Sequence, residues 1–203
     1  MVMRSELQRL KDVSPLCARS SKRNRLQQKL VPDLSHLDSK QSIHVMMVCL
    51  GNICRSPMAA AVLATRARKI TSKEIVVSSS GTSNWHVGQG ANPPSQRVWE
   101  KGGYRHNHRA TQTTPERIEA SDLVLVMDRS NERTVRALAR DEDQSKIFLL
   151  RAFDNSRDFG EDEVPDPYGM EDRAFQEVLH MVERSVEGLL NALGVVDPSG
   201  TSQ

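Results

Sequence analysis

The sequence predicts an α/β domain of three α/β/α layers with a central four-stranded parallel sheet. Three observations carry that prediction. Four short apolar runs recur between Ile43 and Leu150, each bounded by turn or charged residues. Helical patterns separate them, so strand and helix alternate. The 203 residues, 37% of them hydrophobic, suffice for one well-buried domain with some extra at an end.

The strands in order are "IHVMMVC" (43–49), "EIVVSS" (74–79), "DLVLVM" (122–127) and "KIFLL" (146–150). Their continuous rather than alternating apolar character suits strands buried on both faces. Helices are expected at 57–69, 94–101, 115–120 and 130–139, with a long one at 172–193 after the last strand. The main domain therefore spans 42–195, with a short tail at 196–203. Residues 1–41 differ in character: possible helices at 5–13 and 23–30 precede the turn-rich joint "VPDLSHLDSKQS". They read as a basic N-terminal extension, partly disordered.

Composition excludes several classes. No apolar stretch approaches the roughly 20 residues needed to cross a bilayer, so membrane insertion is not expected. The charged first residues lack the apolar segment of a secretory signal. Three cysteines, Cys17, Cys49 and Cys54, are too few for a disulfide framework, which favours a reducing, cytoplasmic setting. Through Lys40 the chain has nine Lys/Arg against four acids, while the remainder has 19 against 22. The main domain has no general basic field, so it is no nucleic-acid binder, and any anion must be held locally. Cys49 and Cys54 have no further ligand pair at zinc spacing, and a dinucleotide glycine pattern is absent, so neither metal nor cofactor is expected.

The informative segment is "VCLGNICRSP" (48–57), where the first strand runs into a loop and the loop into a helix that Pro57 can open. In open parallel sheets ligands sit beyond the carboxyl ends of the strands. Residues 50–55 can curl so that backbone N–H groups converge, with Gly51 and Asn52 tolerating left-handed conformations. The helix start adds its positive end, and Arg55 a planar two-pronged donor. This is a phosphate-binding loop between first strand and first helix. At its base the Cys49 thiol should ionise readily, helped by a hydrogen bond from Ser56, and attack phosphorus in line.

Cys49, five residues, then Arg55 and Ser56 form the signature of cysteine phosphatases, and "VCLGNICRSPMA" resembles the low-molecular-weight protein tyrosine phosphatases. Further segments resemble that family in order: "SSSGTSNWHVG" (78–88), "NHRATQ" (107–112), "VMDRSN" (126–131) and "VPDPYG" (164–169). The likeness covers 43–193. It implies hydrolysis of phosphotyrosine in proteins through a phosphocysteine, with Cys49 as nucleophile, Arg55 holding the phosphate and Asp166 as general acid and base. Leu50, Gly51, Asn52, Ile53, Cys54 and Ser56 would line the phosphate site, and Trp85 and Tyr168 would grip the ring. Asn52, Ser56, Ser79 and His108 would brace the loop, and Asp128 would orient Arg55. By the same analogy Cys54 forms a reversible disulfide with Cys49 on oxidation. The neighbours Glu161, Asp162, Glu163, Glu171 and Asp172 would favour the proton-bearing form of Asp166. His44, on the first strand, reads as structural. The expected partner is a tyrosine-phosphorylated protein, and the protein itself is expected to be a monomer.

Rival readings share the fold. Arsenate reductases relay electrons through cysteines beyond the loop, and none follows Cys54. Protein arginine phosphatases typically carry Thr where this chain has Ile53. A phosphate-binding scaffold would be expected to lack Cys49, Arg55 or Asp166. Ala60, Ser80, Thr111 and Gly169 depart from the family pattern, where Glu, Ala, Arg and a second Tyr are usual.

Overall fold

The structure is a computed structural model and describes residues 31–68, 73–158 and 160–194. The segments expected to be helical at 5–13 and 23–30, and the tail at 196–203, lie outside the described residues. Four parallel strands, β1 (Ser42–Cys49), β2 (Glu74–Gly81), β3 (Leu123–Val126) and β4 (Ile147–Leu149), form one sheet in the order β2-β1-β3-β4. Five α-helices accompany them: α1 (Arg55–Ala67), α2 (Pro93–Lys101), α3 (Pro115–Glu119), α4 (Arg129–Leu138) and α5 (Asp172–Ala192). The three-layer reading therefore holds.

Side chains alternate across β1, and each face buries a different set. Met46 and Val48 join Val124, Val126, Ile147 and Leu149 beneath Ile118 of α3 and Val135 of α4. On the other face α1 packs on β1 and β2 and is itself covered by α2 and α5. A helix enclosed this way is apolar nearly all round, which accounts for the uncharged run Met58–Leu63. Ala60, where the family often has Glu, is wholly buried within it.

Element boundaries shift for local reasons. Helix α1 begins at Arg55, two residues before Pro57, so the proline sits inside the first turn, where a missing N–H costs nothing. β4 is cut to three residues because Leu150 opens a 3-10 turn, Leu150–Phe153. Asn92, Thr114 and Asp128 cap α2, α3 and α4, each accepting a hydrogen bond from a backbone N–H three residues on.

The expected boundary at residue 41 needs correction. Residues from Pro32 onward fall in the same compact unit as the sheet, and Leu34 and Leu37 are buried. Leu37, in a 3-10 turn (Ser35–Leu37), accepts from Lys73 Nζ at 3.1 Å through its carbonyl, and Lys40 pairs with Asp122 at 2.6 Å. Two apolar residues in a polar, turn-rich stretch anchor it to the domain; their spacing was too short to register as a core element.

β1 is central, and the chain leaves it toward β2 on one side and returns to β3 on the other. This reversal of winding opens a crevice at the carboxyl end of β1, where Cys49 is the last strand residue.

Candidate active site

The loop Leu50–Cys54 closes on the sulfur of Cys49. Asn52 N–H donates to Sγ at 3.3 Å, and Ser56 Oγ lies 3.1 Å from it. Asn52 is the one non-glycine residue with positive φ among the described residues, at 54°. Gly51, expected to share that conformation, does not adopt it. Its role is close approach: a Cβ there would stand 2.9 Å from His86 Cδ2.

A left-handed asparagine carries strain that its surroundings must offset. The Asn52 side chain supplies the offset. Its Oδ1 accepts the backbone N–H of Thr111 at 2.9 Å, an unambiguous donor that fixes the amide orientation. Nδ2 then donates to Ser56 Oγ at 2.8 Å and Ser79 Oγ at 3.0 Å. The Ser56 hydroxyl, accepting from Asn52, has one proton to share between Cys49 Sγ at 3.1 Å and the Ser80 carbonyl at 3.4 Å. His108 Nε2 meets the Asn52 carbonyl at 2.7 Å, so the four bracing residues come together as expected. Thr111, a departure from the family pattern, joins them: besides its N–H, its hydroxyl donates to the Ser79 carbonyl at 3.0 Å. Gly81 lies opposite Cys49 on β2, and a Cβ there would meet the Leu50 carbonyl oxygen at 2.8 Å and Asn52 N at 3.0 Å.

Arg55 is 2% exposed yet charged. Nη1 donates to Asp128 Oδ2 at 2.6 Å and to the Val164 carbonyl at 3.1 Å; Nη2 donates to Asp166 Oδ2 at 2.9 Å. Nε is buried without a protein partner. Burial opposes the charge on the guanidinium, but Cys49, Asp166 and Asp128 outweigh it and push its pKa up. Asp128 does two things at once, since its Oδ1 caps α4 by accepting from Asn131 N–H at 2.7 Å.

A cleft of about 250 Å³ opens above the sulfur, lined by Cys49, Leu50, Gly51, Ile53, Cys54, Arg55, Trp85, His86, Asp166 and Tyr168. Trp85 and Tyr168 are 69% and 60% exposed, unusual for large aromatics, and stand at its mouth. His86 is the lining residue that sequence reasoning missed, although it sits beside Trp85 in "NWHVG"; the adjacency was the available signal. Ile53 and Cys54 are buried at the loop's far side, where the Ile53 carbonyl accepts from Asn92 N–H at 2.8 Å and the Cys54 carbonyl from Ser95 Oγ at 3.0 Å. Cys49 and Cys54 are both free thiols. Burial, with Cys49 and Asp166 nearby, pushes the Cys54 thiol up to about 12, so it stays protonated. His44 is structural, bridging the Ala120 carbonyl and Ser78 Oγ at 2.9 Å each.

One expectation is weakened. Three of the five acids next to Asp166 in sequence pair with arginine side chains in space, while Glu171 is exposed with no ion pair among the described residues. Asp162 pairs with Arg157 at 2.8 Å and Arg129 at 3.3 Å, Glu161 with Arg151 at 3.9 Å, and Asp172 with Arg97 at 3.3 Å. Glu163 accepts the Arg129 N–H at 2.7 Å. Like-charge crowding is therefore weaker than the run of acids suggests, and the charged group bonded to Asp166 is Arg55.

An open α/β sheet that curls a Cys-x5-Arg-Ser loop around its cysteine, with a carboxylate facing the sulfur across the cleft, defines the class of cysteine-dependent phosphatases. Comparison with known proteins carries the class to a family. Residues 44–196 match the model of the low molecular weight phosphotyrosine protein phosphatases. The low molecular weight protein-tyrosine-phosphatase of Streptomyces coelicolor is 41% identical over 151 residues, covering 73% of this chain and 92% of that protein. Low molecular weight protein-tyrosine phosphatase A of Mycobacterium tuberculosis is 38% identical over 148 residues, 72% of this chain and 89% of that protein. Among solved structures, a protein tyrosine phosphatase from Entamoeba histolytica superimposes with a TM-score of 0.70 at 29% identity, over 75% of this chain and 97% of that one. The tyrosine phosphatase Wzb of Escherichia coli K30, solved with sulphate, gives 0.64 at 32% identity over 74% and 98%. The chain belongs to the low molecular weight protein-tyrosine phosphatases and is a phosphotyrosine hydrolase acting on phosphoproteins.

Proposed function

We propose that Cys49, Arg55 and Asp166 carry the hydrolysis. The observation behind this reading is the buried Arg55, pinned by Asp128 and Val164 with its Nε unpaired in the cleft that Cys49 floors. Phosphate oxygens take Nε and Nη2 as a fork, together with the loop amides. Arg55 Nη2 thereby leaves Asp166, which is released to face the leaving oxygen. Cys49 attacks phosphorus as the bond to the tyrosine oxygen breaks, and Asp166, freed from Arg55 and carrying a proton taken up from solvent, passes that proton to the departing oxygen. Hydrogen bonds from Asn52 N–H and Ser56 stabilise the sulfur's negative charge before attack and as it departs. Water, deprotonated by Asp166, then cleaves the S–P bond and releases phosphate and the thiolate.

Leu50, Gly51, Ile53 and Cys54 shape the phosphate seat, while Trp85 and Tyr168 hold the ring. Depth favours an aryl phosphate, since a shorter serine phosphate would not reach the sulfur. Cys54 serves as the partner for an oxidised Cys49; its neutral thiol keeps it from competing for phosphate at rest. We read the protein as a cytoplasmic monomer, a setting that keeps Cys49 reduced. Among the described residues no helix is long and apolar enough to cross a membrane. The catalytic domain begins near Pro32.

The test compares wild type, Cys49→Ser and Asp166→Asn on phosphotyrosine, phosphoserine and phosphoarginine substrates. Cys49→Ser should abolish turnover. Asp166→Asn should slow poor leaving groups about 10²- to 10⁴-fold while sparing activated aryl esters. Equal rates for Asp166→Asn and wild type on phosphotyrosine overturn the role given to Asp166.

A further inference from the structure

Charge is divided across the cleft. Residues 51–114, which supply the phosphate loop and the Trp85 wall, have nine Lys/Arg against two acids; residues 115–194, which supply the Asp166 wall, have 10 against 19. Beside the cleft, Glu161, Asp162 and Asp172 pair with arginine side chains and Glu163 accepts a backbone N–H, but the acidic side keeps its excess of negative charge. On the basic side Arg55, Arg66 and Arg97 are paired, which leaves a smaller group of arginines without carboxylate partners among the described residues.

There the segment "RHNHR" (105–109) runs along the outer face of the phosphate loop. His108 bonds the Asn52 carbonyl, and Arg109 Nη1 donates to the Gly88 carbonyl at 3.1 Å, two residues from His86 in the cleft lining. His106 stacks on His108 with ring centroids 6.0 Å apart. Arg68, at the end of α1, is close enough to His106 to add to the effect of burial in lowering its pKa. Arg68, Arg105 and Arg109 are exposed, and none forms an ion pair among the described residues. Acids on the adjoining elements are occupied: Glu100 receives Gln96 Nε2 at 2.9 Å, and Glu183 receives the Tyr104 hydroxyl at 2.6 Å, with Arg66 beside it. Glu74 begins β2 at the end away from the loop. The adjoining stretch 82–92 contains no Asp, Glu, Lys or Arg.

We propose that Arg68, Arg105 and Arg109 form a docking strip for an acidic segment of the phosphoprotein substrate, placed beside its phosphotyrosine. The inference rests on the phosphotyrosine reading of the cleft and adds which substrates it prefers. Unpaired exposed arginines flanking a neutral wall attract carboxylates by complementarity, and they raise the encounter rate as well as hold the complex. Arg109 is bonded beside the cleft wall and Arg68 closes α1, about 20 Å along the helix from Arg55, so at about 3.3–3.6 Å per extended residue the strip is reached by acids roughly two to six positions from the phosphotyrosine.

The test uses peptides of one length with a central phosphotyrosine, carrying Glu, Ser or Lys at those positions, first on one side and then on the other. Wild type should turn over the Glu peptide with the highest kcat/KM on at least one side, and the advantage should shrink with added salt. Arg68 and Arg105 make no hydrogen bond to the loop, so Arg68→Glu/Arg105→Glu should leave phenyl phosphate turnover unchanged. It should raise KM for the Glu peptide about 4- to 25-fold, two exposed pairs at about two- to five-fold each, with kcat unchanged. The Lys peptide should improve. Equal kcat/KM for Glu and Ser peptides in wild type, or an unaltered preference in the variant, overturns the docking strip; failure on every phosphotyrosine peptide and on phenyl phosphate instead overturns the reading of the cleft.

Discussion

Asp128→Asn tests how the site holds its arginine. Asparagine caps helices about as well as aspartate, so on sequence grounds the change looks mild. The geometry says otherwise. Both Asp128 oxygens are committed, Oδ1 to Asn131 N–H at 2.7 Å and Oδ2 to Arg55 Nη1 at 2.6 Å. Asparagine has one oxygen, so if it keeps the cap its NH2 faces the Arg55 guanidinium, donor against donor. Breaking a buried pair from one side costs about 3–5 kcal/mol. Arg55 retains Asp166 and the Val164 carbonyl, and the Asp128 side chain is 21% exposed, which places the loss near the low end, about 3 kcal/mol. At about 2–4 °C per kcal/mol for a domain of this size, Tm should fall by about 6–12 °C. Asp128→Ala loses the cap as well, about 1 kcal/mol more. A fork displaced by about 1 Å should reduce kcat/KM on a phosphotyrosine peptide about 10²-fold in both variants. Thermal unfolding and steady-state kinetics on the same preparations measure the two effects. An Asn variant within 2-fold of wild-type kcat/KM and unchanged in Tm refutes the claim that Asp128 holds Arg55 by charge.

Gly81→Ala should push a methyl group into the Leu50 carbonyl and Asn52 N–H, so activity should fall at least about tenfold while stability drops by only about 1–3 kcal/mol; near-normal kinetics would show the loop tolerates displacement. Gly188→Ala, far from the cleft, should do the reverse. Its Cβ would collide with the Phe153 carbonyl, forcing α5 outward, so urea unfolding should show a loss of at least about 1–3 kcal/mol, with the turnover of the surviving folded fraction retained. Burial, with Arg68 adding, holds His106 below the ordinary value of 6.5; burial also lowers His108, opposed by the Asn52 carbonyl and aided by His106. The unfolded chain therefore takes up protons first on acidification. The stability these rings contribute is full above the unfolded value and is lost as pH falls through the folded ones. His106→Gln should flatten the decline of Tm between about pH 7.5 and 5, and an identical decline would remove His106 from the account.

The resemblance of five ordered segments made the proposed trio of Cys49, Arg55 and Asp166 legible in the sequence, and the sheet with its helices followed from the apolar runs and the helical patterns between them. Residues whose contribution depends on a remote approach were not legible. His86 enters the cleft because its loop folds over Gly51, and Thr111 braces Asn52 mainly through a backbone N–H, which no side-chain pattern reveals. Leu34 and Leu37 anchor the start of the domain from within a stretch whose polarity hid them.

What the sequence determined by itself is the Cys49–Ser56 loop. Strand, curl and helix start are contiguous there, and local backbone preferences bring sulfur, amides and hydroxyl together over eight residues. The tertiary structure alone decided the charge state of the site's surroundings. Arg55 is met by Asp128 from 73 residues away and by Asp166 from 111, while Glu161, Asp162 and Asp172, close to Asp166 in sequence, pair with other arginines. Electrostatic interaction follows distance in space and not separation along the chain, so a run of like charges gains its meaning only once its partners are placed.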